Sequence, residues 1–71
     1  MKGSELLHKL KKYGRQTGME ARFVVERGKG SHGTIYLGER FAVMPNLQQE
    51  LKSGTLHAIL AQLGLTLDEL L

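Results

Sequence analysis

The sequence contains no cysteine and no tryptophan, and its 71 residues include one proline, two tyrosines and two phenylalanines. A chain without cysteine forms no disulfide, offers no thiolate to a metal and has no thiol nucleophile. This composition fits a reducing compartment, so we expect a cytoplasmic protein.

Long apolar segments are also missing. No apolar run approaches the ~20 residues that a membrane-spanning helix needs, and the first residues lack the apolar core of a secretion signal. The length predicts a single domain over residues 1–71. Because so short a chain buries only ~60% of its unfolded surface, we expect one core and one shallow surface site, without a cofactor.

Positive charge is concentrated in the first part of the chain. Residues 1–40 carry nine basic and four acidic side chains, a formal net charge of +5, whereas residues 41–71 carry one basic and three acidic side chains, a net charge of −2. This distribution favours a polyanionic partner for the first part.

Two segments have the apolar spacing of amphipathic helices. The first is predicted to begin after Ser4 as its N-cap and to stop at Gly14, with a loop up to Met19. The second is predicted to begin after Ser53 and to end at Gly64, and Thr66 to Glu69 predicts a capping box for a last short turn. The spaced apolar residues are Leu6, Leu7, Leu10 and Tyr13 in the first helix and Leu56, Ile59, Leu60 and Leu63 in the second.

Three segments between the helices predict β-strands, at residues 20–27, 33–37 and 40–44. Gly38 and Glu39 predict a tight turn, and Pro45 is predicted to end the third strand. The order is α-β-β-β-α. We therefore expect an α+β fold, a two-layer sandwich of two helices on a three-stranded antiparallel sheet.

The most unusual run in the chain lies between the first two strands. It reads Arg27-Gly28-Lys29-Gly30-Ser31-His32-Gly33. Glycines let backbone N–H groups approach a ligand, cations attract phosphate, and an imidazole can transfer a proton near neutral pH. The run therefore predicts a site that holds a phosphodiester, with His32 placed where the loop re-enters the sheet.

Other interpretations of this run are less well supported by its context or assign it no function. It matches G-x-G-x-x-G, but a dinucleotide site needs a helix after the motif, and here a strand follows; the Walker A ending is missing too. A glycine-rich hairpin loop with solvated Lys29 and His32 is the alternative without a function.

A zinc site is disfavoured because no two histidines have helical ligand spacing. We expect His8 to be solvated and Tyr13 and Tyr36 to serve mainly in packing.

With its flanking segments, the run resembles the HicA toxins, also called YcfA-like proteins. The resemblance rests on Gly28 to His32 between two strands and on Lys52-Ser53-Gly54-Thr55-Leu56 at the start of the last helix. It extends to Gly3-Ser4-Glu5-Leu6-Leu7 and to the segment from Leu63 to Leu70. It implies a fold similar to a double-stranded-RNA-binding domain and an mRNA-cleaving ribonuclease that arrests growth, the toxin of a type II toxin–antitoxin pair. It also implies that His32 is catalytic, that a HicB antitoxin covers the site, and that operator DNA is reached through HicB.

RNA supplies its own nucleophile, the 2′-OH beside the scissile phosphate, so one histidine could suffice without a metal. We expect His32 to act as general base or general acid. Lys29 and the loop N–H groups of residues 28–33 would stabilise charge on the phosphate. The residues predicted to contact RNA are Arg22, Arg27, Gly28, Lys29, Gly30, Ser31 and Arg40. Because only Lys52 is basic at the start of the last helix, binding of long duplex RNA is not expected.

Two other functions stay open at the level of sequence. A non-catalytic RNA-binding module would use the same basic face, and its binding would not depend on protonation of a single histidine. A purely protein-binding fragment would have no RNA affinity that weakens with salt, whereas phosphate contacts must weaken with salt.

Overall fold

The computed structural model describes residues 1–25 and 32–70. Its elements are helix α1 (Gly3–Thr17), strands β1 (Ala21–Val25), β2 (His32–Leu37) and β3 (Arg40–Pro45), helix α2 (Ser53–Gln62) and a short 3-10 helix (Leu67–Leu70). This order confirms the predicted α-β-β-β-α arrangement and the α+β class.

The three strands form one antiparallel sheet in which β2 is central, with β1 and β3 at its edges. Gly38 and Glu39 make the predicted turn between β2 and β3, and Gly38 has φ +61°, a left-handed conformation that glycine adopts without steric cost. In the register, Tyr36 of β2 lies between Arg22 of β1 and Phe41 of β3.

Both helices cover the same side of the sheet, which we call the inner face. Helix α1 packs mainly on β1 and helix α2 on β3. The core contains Leu6, Leu10, Ile35, Leu37, Ala42, Met44, Leu51, Leu56, Ile59, Leu60, Leu63 and Leu65. Leu6 and Leu10, which the helical spacing placed on one side of α1, are fully buried. None of the helices in the described ranges has the length and apolar character that a membrane span requires.

Helix α1 begins two residues earlier than predicted. Its N-cap is Lys2, and Ser4 lies inside the first turn. The N–H groups of Gly3 and Ser4 donate to the carbonyl oxygens of Gln49 and Leu47, at 3.1 and 2.7 Å. Because the backbone before α2 supplies these acceptors, the helix needs no side-chain cap.

The predicted stop at Gly14 is also wrong, since α1 continues to Thr17 and is followed by Gly18 at φ +77°. The segment predicted as a loop is therefore partly helical. Gly14 is buried, and a Cβ atom there would overlap the carbonyl oxygen of Met19. This glycine allows the chain to pass close to the helix on its way to β1.

The second helix follows the prediction more closely. Its N-cap is Lys52, one residue before the predicted cap, and Gly64 has the left-handed φ of +78° that ends it. The Thr66 N–H donates to Glu69 Oε1 at 3.1 Å, which confirms the predicted capping contact. The Tyr13 hydroxyl also donates to Glu69 Oε2, at 3.2 Å, and so joins the last turn to α1.

Candidate nucleic-acid interface

His32 is the first residue of the central strand, one position earlier than predicted. It lies opposite Pro45 of β3, and its side chain is exposed. The next residue, Gly33, is buried on the inner face. Since successive residues of a strand point to opposite sides, the imidazole lies on the other side of the sheet, which we call the outer face.

A fixed backbone carries this imidazole. Gly33 pairs with Val25 on one side and Met44 on the other, so the start of β2 is held from both edges. Phe23 packs against Gly33 so closely that a Cβ atom there would overlap its ring. The strand therefore sets the position of His32 as expected, through a packing contact that the sequence did not reveal.

The outer face is the side of the sheet that the helices leave uncovered. By alternation and register it consists of Arg22 and Val24 of β1, His32, Thr34 and Tyr36 of β2, and Phe41, Val43 and Pro45 of β3. Four of these eight side chains are apolar, and they do not belong to the core.

Three apolar side chains are well exposed here. Val43 keeps 62% of its surface exposed, Phe41 61% and Val24 45%. Val24 and Val43 flank Thr34 across the strands. Several exposed apolar side chains on one face of a small protein are typical of a binding site.

One row of the outer face combines a cation with two aromatic rings. The guanidinium carbon of Arg22 lies 4.7 Å from the centre of the Tyr36 ring, within cation–π range. The Tyr36 and Phe41 rings are 6.1 Å apart and tilted by 44°. Glu20 Oε1 lies 3.9 Å from Arg22 Nε, but both side chains are exposed, so this ion pair contributes little.

Arg22 and Arg40 were predicted to contact the same RNA backbone, but the structure separates them. Arg22 shares the outer face with His32, about 13 Å away along the sheet at ~3.3 Å per residue. Arg40 pairs with the buried Leu37, and its guanidinium lies beside Gly64 at the end of α2, on the inner side. Arg40 is therefore not brought together with His32.

The remaining residues predicted to contact RNA are Arg27, Gly28, Lys29, Gly30 and Ser31, and they lie outside the described residues. Their roles stay predictions from the sequence. Val25 and His32 are the described residues on either side of residues 26–31, and both lie at the same end of the sheet.

The other candidate groups lie away from this surface. His8 and His57 are exposed on the two helices. Tyr13 packs against the core as expected. Desolvation, together with the hydrogen bond to Glu69 and the charge of its carboxylate, raises the pKa of Tyr13 above 10.0. Within the part of the chain that the structure describes, no group of three His, Cys, Asp or Glu residues could hold a metal ion.

The apolar side chains of the outer face were not predicted from the sequence. A signal was present in β3, where Phe41, Ala42, Val43 and Met44 follow one another without a polar residue. Continuous apolar runs are typical of strands covered on both sides, whereas here the helices cover one side only.

Comparisons with protein-family models, with curated proteins and with solved structures gave no match for this chain. The resemblance to the HicA toxins therefore stays a prediction from the residues quoted for it.

Proposed function

We propose that the protein is a metal-independent endoribonuclease that cleaves mRNA through His32. The observation that carries the proposal is the position of His32, exposed at the start of the central strand and inside the glycine-rich basic run. A strand paired on both sides fixes the backbone that carries His32, and the exposed imidazole suits a large substrate.

The chemistry uses the RNA itself as nucleophile. The 2′-oxygen attacks the adjacent phosphorus, and the bond from phosphorus to the 5′-oxygen of the next nucleotide breaks. His32 takes the proton of the 2′-OH while water protonates the departing 5′-oxygen, or His32 protonates that oxygen while water accepts the 2′-OH proton; one such transfer contributes roughly 10²–10⁴-fold. The sequence offers Lys29 and the N–H groups of residues 28–33 to stabilise the negative charge that develops on the phosphate.

The proposed biological setting is that of a type II toxin, as the resemblance to the HicA proteins implies. A HicB-type antitoxin would hold the toxin inactive by covering His32. The surface around that side chain suits such a complex, because Val43 and Phe41 leave apolar area exposed on the same face.

The decisive experiment follows the decay of a defined transcript in EDTA, with the protein and with its His32→Ala variant. Circular dichroism establishes that both are folded. We expect cleavage by the parent alone, and no cleavage of DNA of the same sequence, because deoxyribose lacks the 2′-OH. Cut DNA, or equal cleavage by the variant, would contradict the proposed chemistry.

The aromatic row of the outer face supports one alternative, a non-catalytic RNA-binding module. Exposed aromatic side chains next to a cation commonly bind single-stranded nucleic acid. This alternative predicts RNA affinity that falls with salt and an intact transcript with both proteins.

A further inference from the structure

We infer that the outer face is a stacking surface for unpaired RNA bases, with the exposed ring of Phe41 as the main contact. The inference rests on the proposed ribonuclease function for its choice of polymer. It names the substrate as single-stranded RNA, and it assigns binding residues that lie outside the glycine-rich run.

The exposure of Phe41 supports a role in binding. Phe41 keeps 61% of its surface exposed on an edge strand, so packing within the described chain does not account for an aromatic residue there. The neighbouring Tyr36 supports the ring at a centroid distance of 6.1 Å without covering it. A base has a π-face that can stack on such a ring whatever its sequence.

The charge of the outer face also favours RNA. Arg22 lies over Tyr36 in the same row, and none of the outer-face residues that the structure describes is acidic. Because Glu20 is exposed and 3.9 Å away, it neutralises Arg22 only weakly. Bases can stack on the aromatic rings while the cation contacts the phosphates that join them, so this row suits single-stranded RNA.

The aromatic row lies on the same face as His32. His32, Thr34 and Tyr36 occupy alternate positions of β2, and Phe41 lies directly beside Tyr36. The distance from His32 to the aromatic row is about 13 Å at ~3.3 Å per residue, which a few nucleotides can span. Bases held on Phe41 would therefore fix which phosphate reaches His32.

Unpaired RNA fits this surface better than duplex RNA. Stacking requires bases that are accessible on their faces, whereas a duplex offers mainly phosphates and 2′-hydroxyls along a shallow groove. The apolar side chains Val24, Val43 and Phe41 would make few favourable contacts with that polar exterior.

The test measures binding of a 2′-O-methyl oligoribonucleotide, which has no free 2′-OH and cannot be cleaved by the proposed chemistry. The probes are this single strand, its duplex with a complementary 2′-O-methyl strand, and an abasic strand of equal length. The proteins are the parent, Phe41→Leu, which keeps an apolar side chain but loses the ring, and Phe41→Trp, which keeps a ring. Because Phe41 is mostly exposed, both variants are expected to fold, and circular dichroism establishes this.

We expect the parent to prefer the single strand to the duplex and to the abasic strand. Phe41→Leu should weaken single-strand binding by roughly 5- to 150-fold, as for loss of one stacked base, and Phe41→Trp should bind like the parent or more tightly. Equal binding by the parent and Phe41→Leu, or equal binding of single strand and duplex, would overturn the inference and leave the outer face as a protein-docking surface.

Cleavage of an unmodified transcript, measured in parallel, separates this inference from the proposed function. Ring-dependent binding without cleavage would refute the ribonuclease and retain the stacking surface. Cleavage with the same KM in the parent and in Phe41→Leu would retain the ribonuclease and refute the stacking surface.

Discussion

The ring of Phe23 lies against the backbone of Gly33, and a Cβ atom on Gly33 would also come within 2.6 Å of the Val24 carbonyl oxygen. This contact has two effects. The Phe23 ring covers the inner face at the start of β2, and it restricts the backbone that carries His32.

Gly33→Ala is expected to destabilise the protein by about 1–3 kcal/mol, as overpacking of a core typically does. The Val24 backbone cannot move aside without disturbing the pairing of β1 and β2. Urea unfolding measures the effect as a shifted midpoint at unchanged slope.

Gly54→Ala is the matched control, because a Cβ atom there meets nothing within 4 Å in α2. Helix propensity predicts that this control is neutral or up to ~1 kcal/mol more stable. Equal stability of Gly33→Ala and the parent would show that the Phe23 contact is not restrictive.

Gly14→Ala should destabilise the protein although alanine is the better helix former. In an open helix the exchange stabilises by ~1 kcal/mol, but here the methyl group would overlap the Met19 carbonyl oxygen. We expect a net loss of about 1–3 kcal/mol in urea unfolding. Gly18→Ala offers a comparison at the end of the same helix, where the space is open and only the φ of +77° is unfavourable, at a cost of about 1–2 kcal/mol. A stabilised Gly14→Ala protein would contradict the close passage of the chain at Met19.

Tyr13 should lose its proton at a higher pH than a solvated tyrosine. Desolvation raises its pKa, and the hydrogen bond from its hydroxyl to Glu69 and the carboxylate charge act in the same direction. The tyrosinate absorbance of Tyr36→Phe, which leaves Tyr13 as the sole tyrosine, should rise with a midpoint above 10.0. Glu69→Gln in that background should lower the midpoint, because the amide carries no charge. An unchanged midpoint would show that Glu69 does not influence Tyr13.

The same pKa has a consequence for stability. Because the folded-state pKa is raised, the contribution of Tyr13 is present below the unfolded-state pKa of about 10 and is lost as pH rises through the folded-state value. Tyr13→Phe should therefore lose less stability than the parent between mildly and strongly alkaline pH. Parallel stability curves for the two proteins would contradict this.

Arg22 and Arg40 provide a matched pair for RNA binding, since the same charge is removed on opposite sides of the sheet. Arg22→Gln should weaken binding of the single strand and reduce the slope of log K against log salt by about 0.7, the value for one phosphate contact. Arg40→Gln should change the slope little, because its guanidinium lies beside Gly64. Equal slope changes would favour the sequence-based prediction that both arginines contact RNA.

The strands and the sheet could be predicted from the sequence because their alternation is a local property. Phe23 and Ile35 face the helices as alternation requires, and the turn at Gly38 follows from its glycine. The bounds of α1 could not be predicted, because the acceptors that replace a side-chain cap come from residues 47–49 and the reason for Gly14 lies at Met19. Both depend on contacts that no local pattern contains.

The candidate site was predictable in part for the same reason. The position of His32 beside a strand follows from the residues around it, and the structure places it at the start of β2. The separation of Arg22 from Arg40 depends on register and on which side the helices cover. The aromatic row depends on cross-strand neighbours, and Phe41 and Tyr36 become neighbours only through the turn between β2 and β3.

The hydrogen bonds from Gly3 and Ser4 to Gln49 and Leu47 bear on the order in which the chain folds during synthesis. The carbonyl groups that accept the N–H groups of the first turn of α1 are synthesised more than forty residues after that turn. At roughly 5–20 residues per second those residues take seconds to make, whereas a helix forms in about a microsecond. The start of α1 is therefore expected to remain frayed on the growing chain and to be secured only when the segment before α2 has emerged.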